Sequence, residues 1–204
     1  MHTDTAIQPT FVFPIDVRSK RNRLYTTTGK IVWLSGLSGS GKSTIALLTK
    51  NHFEKFGVLC TMLDGDNLRS GINNNLSFTS NDRTENIRRA AEVAKLFMEN
   101  NILTICSFIT PNEEIRQIVR SIIGQENLLE VYISTSLNEC ERRDVKGLYK
   151  KARKGEILNF TGIDSPFEKP SRIDLEISTE NRTPEDCSYE LIEFLNPIIL
   201  GEQP

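Results

Sequence analysis

The chain has 204 residues and a formal net charge of -2 at pH 7, with 25 lysines and arginines against 27 aspartates and glutamates. This length can bury one core, and the balanced charge gives no reason to expect a nucleic-acid binder or a protein held on a charged membrane surface. No segment approaches the ~18 consecutive apolar residues of a membrane span, and the first residues lack the charged-then-apolar order of a signal peptide. We therefore expect a cytoplasmic protein that binds neither nucleic acid nor membranes.

Apolar segments alternate with helical patterns along most of the chain. Residues 1–29 are polar and rich in turn residues, and they predict an N-terminal arm ahead of one domain over residues 30–204. Five short segments rich in β-branched residues are typical of strands buried on both faces of a parallel sheet. These predicted strands span residues 30–35, 58–63, 102–109, 128–134 and 174–178.

Helical periodicity fills the intervals between these strands. One predicted helix follows the first strand, and a second is capped by Thr79 or Ser80. Two more cover residues 112–123 and 183–195, the last with Thr183 as N-cap and Pro184 at its first position. Strands and helices in this alternation predict a doubly wound α/β fold with a parallel sheet.

The four cysteines are far apart in the sequence and form no CxxC pair, and the chain has only two histidines. Three of the cysteines lie in or beside apolar segments, where a reduced cysteine behaves as a small hydrophobic residue. We therefore expect structural thiols rather than disulfides or metal ligands.

The segment GLSGSGKST, residues 36–44, follows the first predicted strand and matches the phosphate-binding pattern G-x-x-x-x-G-K-[ST]. Its glycines allow a tight turn whose N–H groups face phosphate oxygens, and the helix that follows adds its N-terminal dipole. We expect Lys42 to reach the β- and γ-phosphates of ATP and the Ser43 hydroxyl to bind Mg²⁺. A strand before the segment and a helix after it favour this P-loop over a chance turn. The predicted ATP-binding residues are Gly36, Leu37, Ser38, Gly39, Ser40, Gly41, Lys42, Ser43 and Thr44.

Carboxylates follow the second predicted strand, in the segment LDGDNLR, whereas the third strand ends in SFIT without one. Asp64 and Asp66 are therefore expected at the carboxyl edge of the sheet, where ligands of such folds bind. A carboxylate there can orient an acceptor hydroxyl and take its proton, which indicates a kinase, although an ordinary Asp-Gly turn is the alternative. The candidate catalytic residues are Lys42, Asp64 and Asp66.

A set of residues suited to a nucleotide-like acceptor lies within twenty positions of Asp66. Arg69 and Arg83 can bind an anionic group, Phe78 can stack on a base, and Asn86 can bind polar edges. Taken separately, the ring could belong to the core and the arginines to the surface. Their combination with the P-loop favours an acceptor site.

Six segments in this order resemble adenylyl-sulfate kinases over about residues 30–178. They are GLSGSGKST, LDGDNLR, NDRTENIRR, SFITP, CERRDVKGLYKKARKGEI and NFTGID. The resemblance implies the P-loop kinase fold and a homodimer. It also implies sulfate activation, in which ATP phosphorylates the 3'-hydroxyl of adenosine 5'-phosphosulfate to give 3'-phosphoadenosine 5'-phosphosulfate.

The resemblance also implies roles for individual residues. Asp66 would orient the 3'-hydroxyl, Phe78 and Phe160 would clamp the adenine, and Lys146 would lie near the acceptor in a mobile basic lid over about residues 141–162. Arg69, Arg83 and Asn86 would hold the phosphosulfate and ribose. The full predicted acceptor site is Asp66, Asn67, Arg69, Phe78, Arg83, Asn86, Ile109, Thr110, Lys146 and Phe160.

Three departures from the family pattern involve four positions. Thr110 replaces a serine often described as a phosphorylated intermediate, and Ser77 replaces a glycine before the stacking ring. Asn112 and Glu113 replace a tyrosine or histidine followed by arginine, so an acceptor or lid contact could be weakened. Two alternatives stay open: a kinase of the same fold acting on another nucleotide or nucleoside, and a non-catalytic nucleotide-sensing module.

Overall fold

A five-stranded parallel sheet forms the centre of the computed structural model, which describes residues 29–201. Apart from Gly29, the predicted N-terminal arm lies outside the described residues. The strands are β1 (Ile31–Ser35), β2 (Cys60–Asp64), β3 (Leu103–Ser107), β4 (Leu128–Ile133) and β5 (Leu175–Ile177). Their order across the sheet is β2-β3-β1-β4-β5, and every neighbouring pair is parallel. The predicted strands and the doubly wound α/β fold are confirmed.

Helices cover both faces of this sheet. They are α1 (Lys42–Lys55), α2 (Gly65–Ser70), α3 (Ser80–Glu99), α4 (Glu113–Ile123), α5 (Leu137–Arg143), α6 (Leu148–Arg153) and α7 (Pro184–Ile199). Successive residues of β1 point to opposite faces, so Val32 and Leu34 join α1 and α7 in one apolar cluster. Ile31 and Trp33 join α3 and α4 in a second cluster on the other face.

Side-chain caps fix where three of the long helices begin. Thr79 accepts a hydrogen bond from the Asp82 N–H at the start of α3, and Asn112 accepts one from the Ile115 N–H at the start of α4. At the start of α7, Thr183 and Asp186 form a reciprocal capping box. The sequence predicted Thr183 correctly and left Thr79 and Ser80 open. Asn112, singled out as a departure from the family, has a structural role as a cap.

The structure corrects two expectations about the elements. β2 and β5 are the edge strands, so most of their residues are only partly buried rather than covered on both faces. The short helices α2, α5 and α6 carry no long apolar repeat, because six or seven residues make two turns at most, and the sequence did not predict them.

The strand register brings polar residues together at the carboxyl edge of the sheet. Asp64 at the end of β2 pairs with Ser107 at the end of β3, and Ser107 is also the partner of Leu34 in β1. The P-loop follows β1 at this same edge of the sheet, so Asp64 and Ser107 lie beside the P-loop.

All four cysteines are free thiols: Cys106, Cys140 and Cys187 are buried and Cys60 is partly buried. Between residues 29 and 201, every helix is too short or too polar to cross a membrane.

Candidate active site

The P-loop connects β1 to α1 through a backbone that requires glycine. Gly36 and Gly41 have φ values of 150° and 101°, and a Cβ atom at Gly36 would lie 2.7 Å from the Ile133 carbonyl oxygen. Within the described residues, no side chain caps the N-terminus of α1, so the first N–H groups of this helix can bind an anion. The loop and the helix dipole together form an anion-binding cradle.

Lys42 lies inside this loop and is only 7 % exposed. Its ammonium group donates to the Leu37 carbonyl at 2.6 Å and to Ser40 Oγ at 3.3 Å. Burial lowers the pKa of Lys42 to about 8, while the charges of Asp64 and Asp66 partly oppose this effect. A cation that the protein desolvates at this cost is well placed to bind a phosphate.

Three oxygen atoms meet where α1 begins and where β2 and β3 end. Ser43 Oγ donates to Asp64 Oδ2 at 2.6 Å and lies 3.1 Å from Ser107 Oγ. No group of three or more His, Cys, Asp or Glu side chains within residues 29–201 could hold a metal ion alone. Mg²⁺ commonly takes one or two protein oxygens together with water and nucleotide phosphates, so this set fits Mg²⁺ bound with ATP. Sequence reasoning did not identify Ser107, because a serine ending an apolar strand carries no distinctive signal.

Asp64 and Asp66 have different positions, although the sequence predicted both at the strand end. Asp64 ends β2 and accepts the Asp66 N–H at 3.0 Å, which caps α2. Asp66 lies in the first turn of α2, where its exposed carboxylate forms an ion pair with Lys146 of the predicted lid. The charges of Asp66 and Lys146 both act on the pKa of Lys42, so the predicted catalytic carboxylate and the phosphate-binding lysine share one electrostatic neighbourhood.

The exposed ring of Phe78 lies just before the start of α3 and contacts an arginine. The Arg69 guanidinium lies 4.4 Å from the centre of the Phe78 ring and donates to the Ser77 carbonyl at 2.9 Å. The Ser77 hydroxyl bonds to Asp82, and its N–H donates to the same carboxylate at 3.1 Å. Ser77 therefore fixes this loop, whereas the glycine of the family pattern has no side chain for such a contact.

Arg83 joins the Phe78 loop to the end of the predicted lid. It donates through Nε to the Phe78 carbonyl at 3.0 Å and through a terminal nitrogen to Thr161 Oγ1 at 2.7 Å. It also donates to the carbonyl of Asn159. Phe78 and Phe160, the two rings predicted to clamp the adenine, thus lie on segments that one guanidinium connects.

Phe160 is buried, in contrast to the exposed Phe78. Its ring packs edge-on against Tyr149 at a centroid distance of 5.0 Å, and both rings join Leu37 of the P-loop in a third apolar cluster. The Tyr149 hydroxyl donates to the Ser38 carbonyl at 2.9 Å. Residues of the predicted lid therefore pack directly on the P-loop.

The remaining predicted acceptor residues lie at varying depth. Asn86 is buried, and its amide oxygen accepts from Asn73 Nδ2 at 3.0 Å, a partner that sequence reasoning missed. Asn67 is exposed on α2. The Ile109 carbonyl accepts the Gly36 N–H at 3.3 Å, so this residue contacts the P-loop through its backbone.

Thr110 is buried and has a φ of 46°, an uncommon value for a β-branched residue. Its hydroxyl accepts a hydrogen bond from Trp33 Nε1 at 2.9 Å. Trp33 stacks on Phe108 with the ring centres 5.0 Å apart. The hydroxyl of Thr110 is therefore directed into the protein and not toward solvent.

Glu113 belongs to a largely buried ionic network at the start of α4. Its carboxylate pairs with Arg120 and lies 3.6 Å from the buried guanidinium of Arg116. Arg120 also forms a bidentate pair with Glu130 at 2.7 and 2.9 Å. The charge reversal at Glu113 is therefore neutralised by arginines of its own helix.

Comparisons with known proteins agree in their descriptions. The family model described as adenylylsulphate kinase matches residues 28–178. An adenylyl-sulfate kinase of Phocaeicola vulgatus is 53% identical over 182 residues, 89% of each chain. The structure of the Mycobacterium tuberculosis APS kinase in complex with AMPPNP and APS has a TM-score of 0.80 and 43% identity, covering 83% of this chain and 99% of that one. The hexameric APS kinase from Thiobacillus denitrificans has a TM-score of 0.63 and 25% identity, covering 84% of this chain and 29% of that one.

Proposed function

This chain belongs to the adenylyl-sulfate kinase family, and we propose that its described residues carry out a direct in-line phosphoryl transfer. In this reaction the γ-phosphoryl group of ATP passes to the 3'-hydroxyl of adenosine 5'-phosphosulfate, which leaves ADP and 3'-phosphoadenosine 5'-phosphosulfate. The observation that carries the mechanism is the series of contacts from the P-loop to Asp66: Ser43 donates to Asp64, and Asp64 accepts the Asp66 N–H. These contacts support a donor site beside a carboxylate that can act on the acceptor.

The donor side consists of the P-loop and the oxygens beside it. The loop N–H groups and Lys42 bind the phosphates and stabilise the charge that develops during transfer. Ser43 and Asp64, with Ser107 beside them, would hold Mg²⁺. When bound, this ion would neutralise part of the charge of the phosphate groups.

The acceptor side begins at Asp66. Its carboxylate orients the 3'-hydroxyl and accepts the proton as the oxygen attacks phosphorus. Phe78, with Arg69 over its ring, provides a stacking surface for the adenine, and Phe160 lies on the segment that Arg83 joins to it. The hydroxyl of Thr110 stays with Trp33, so this mechanism needs no phosphorylated intermediate.

The lid completes the site by excluding water from the donor phosphate. We assign residues 141–162 to this lid and residues 30–204 to the kinase domain. Tyr149 and Phe160 support this assignment because they pack on the P-loop, which lets closure over the acceptor and alignment of the donor occur together.

An acceptor panel tests this function. With ATP and Mg²⁺, we expect rapid ADP formation with adenosine 5'-phosphosulfate and at most background rates with AMP, CMP and nucleosides. A preference for another nucleotide or nucleoside would instead support the alternative kinase. Tight binding of ATP and adenosine 5'-phosphosulfate without ADP formation would support a sensing module.

Replacing Arg83 with glutamine should raise the KM for adenosine 5'-phosphosulfate about 10- to 100-fold, because hydrogen bonds from a charged group are worth about 1.5–3 kcal/mol. The KM for ATP should change much less. Arg88 offers a matched control: it lies on the same helix, is exposed and, within residues 29–201, pairs only with neighbouring glutamates. Steady-state kinetics of R83Q and R88Q decide the assignment, and an unchanged acceptor KM in R83Q would refute it.

We also propose a homodimer in the cytoplasm. The family resemblance supports the dimer, and the free thiols fit a reducing compartment. Light scattering of the purified chain distinguishes a dimer from a monomer and from the hexameric state that the Thiobacillus denitrificans structure names.

A further inference from the structure

Two threonine hydroxyls from outside the P-loop lie within hydrogen-bond distance of one of its carbonyl oxygens. Thr135, after β4, lies with its Oγ1 3.1 Å from the Ser40 carbonyl oxygen, and Thr179, after β5, lies with its Oγ1 3.2 Å from the same oxygen. The two hydroxyls are 2.6 Å apart. Ser40, Thr135 and Thr179 are all at least nine-tenths buried, so water does not compete for these contacts.

The hydrogen bonds of this cluster balance. Arg143 donates to Thr179 Oγ1 and to the Thr179 carbonyl, both at 2.9 Å. One threonine hydroxyl then donates to the Ser40 carbonyl and the other donates to its threonine neighbour, so neither proton lacks an acceptor. Arg143 itself is held by Glu139 on α5 at 2.7 Å. The cluster thus connects the P-loop to the helix that leads into the lid.

Peptide geometry gives this contact a consequence for ATP binding. The Ser40 carbonyl and the Gly41 N–H belong to one planar trans peptide, in which the two groups point in opposite directions. Holding the carbonyl outward therefore directs the Gly41 N–H into the loop. The contact matters here because Gly41 has a φ of 101° and no side chain to restrict the rotation of this peptide.

We propose that Thr135 and Thr179 are positioning residues that aim the Gly41 N–H at a phosphate group of ATP. This inference rests on the proposed donor role of the P-loop, and it adds two residues outside the loop motif that preorganise it. Neither threonine touches the nucleotide phosphates in this account; both act through the Ser40 peptide.

Valine replaces threonine with nearly the same shape but without the hydroxyl, which makes T135V, T179V and the double variant direct tests. In the double variant we expect the Kd for AMPPNP and the KM for ATP to rise about three- to tenfold, the size of one lost hydrogen bond, with little change in the KM for adenosine 5'-phosphosulfate. Each single variant leaves one hydroxyl within hydrogen-bond distance of the Ser40 carbonyl and should lose less. Serine at either position keeps the hydroxyl and should restore binding.

Thr104 provides the matched control, since it is fully buried in β3 and its hydroxyl bonds, among the described residues, only to the Ile102 carbonyl. T104V should affect stability without changing nucleotide binding. Unchanged AMPPNP binding in the folded double variant would overturn the proposal, as would an equal loss in T104V. Binding of AMPPNP is measured without the acceptor, so failure of the wild type to phosphorylate adenosine 5'-phosphosulfate would refute the proposed function separately.

Discussion

Replacing Lys42 with methionine or alanine is expected to lower kcat by at least about 100-fold, the effect of removing one group that stabilises transition-state charge. Lys42 is the cation that the structure buries inside the P-loop, and its ammonium group is held by the Leu37 carbonyl and Ser40. Steady-state kinetics at saturating substrates measure the loss. Lys50, a partly buried lysine of the same helix that pairs with Glu54, is the control, and K50M should retain full activity.

The K42M variant should fold, because methionine fills the space of the lysine side chain and removes a buried charge. The pKa of Lys42 is about 8 in the folded protein against 10.5 for the ordinary side chain. At a pH between these two values, Lys42 is protonated in the unfolded chain and neutral in the folded protein. The free energy of unfolding of the wild type therefore increases as the pH rises from about 8 to about 10.5. K42M should lack that increase in the free energy of unfolding. Urea unfolding at pH 7 and pH 10 checks this, and near-wild-type turnover by folded K42M would contradict the donor-site assignment.

Replacing Asp66 with asparagine should lower kcat about 100-fold or more, because an amide cannot accept the proton of the 3'-hydroxyl. The substitution also breaks the ion pair with Lys146, so the loss must be separated from an effect of that pair. K146M breaks the same pair and keeps the carboxylate. We expect K146M to raise the acceptor KM while retaining most of kcat. Equal losses of kcat in D66N and K146M would show that the ion pair, and not the carboxylate, is what turnover requires.

The sequence predicted the sheet and its helices because their signals are local. Apolar segments identified the strands, and Thr183 with Pro184 identified the start of the last helix. The P-loop motif identified Lys42 and Ser43, because both residues have fixed places in the motif. Short helices such as α2 have no such signal, which is why Asp66 was expected on the strand edge and lies on a helix instead.

Contacts between distant segments could not be predicted from residue types. No local sequence feature of Arg83 predicts its hydrogen bond to Thr161, which lies 78 positions away. No local feature of Thr179 predicts its contact with Ser40, 139 positions away. The arginines that neutralise Glu113 are also not evident from residue types alone, although they lie only one and two helical turns along α4. Such pairings depend on the packed arrangement and become visible only in three dimensions.

Product analysis identifies the acceptor atom, which separates the 3'-hydroxyl of adenosine 5'-phosphosulfate from every other acceptor. The full chain is incubated with Mg²⁺, adenosine 5'-phosphosulfate and ATP that carries a labelled γ-phosphate, and the position of the label is determined by mass spectrometry and phosphorus NMR. We predict that the label appears on the 3'-oxygen of 3'-phosphoadenosine 5'-phosphosulfate with one ADP formed per product. A label on another position, or ADP formed without a labelled nucleotide, would refute transfer to the 3'-hydroxyl.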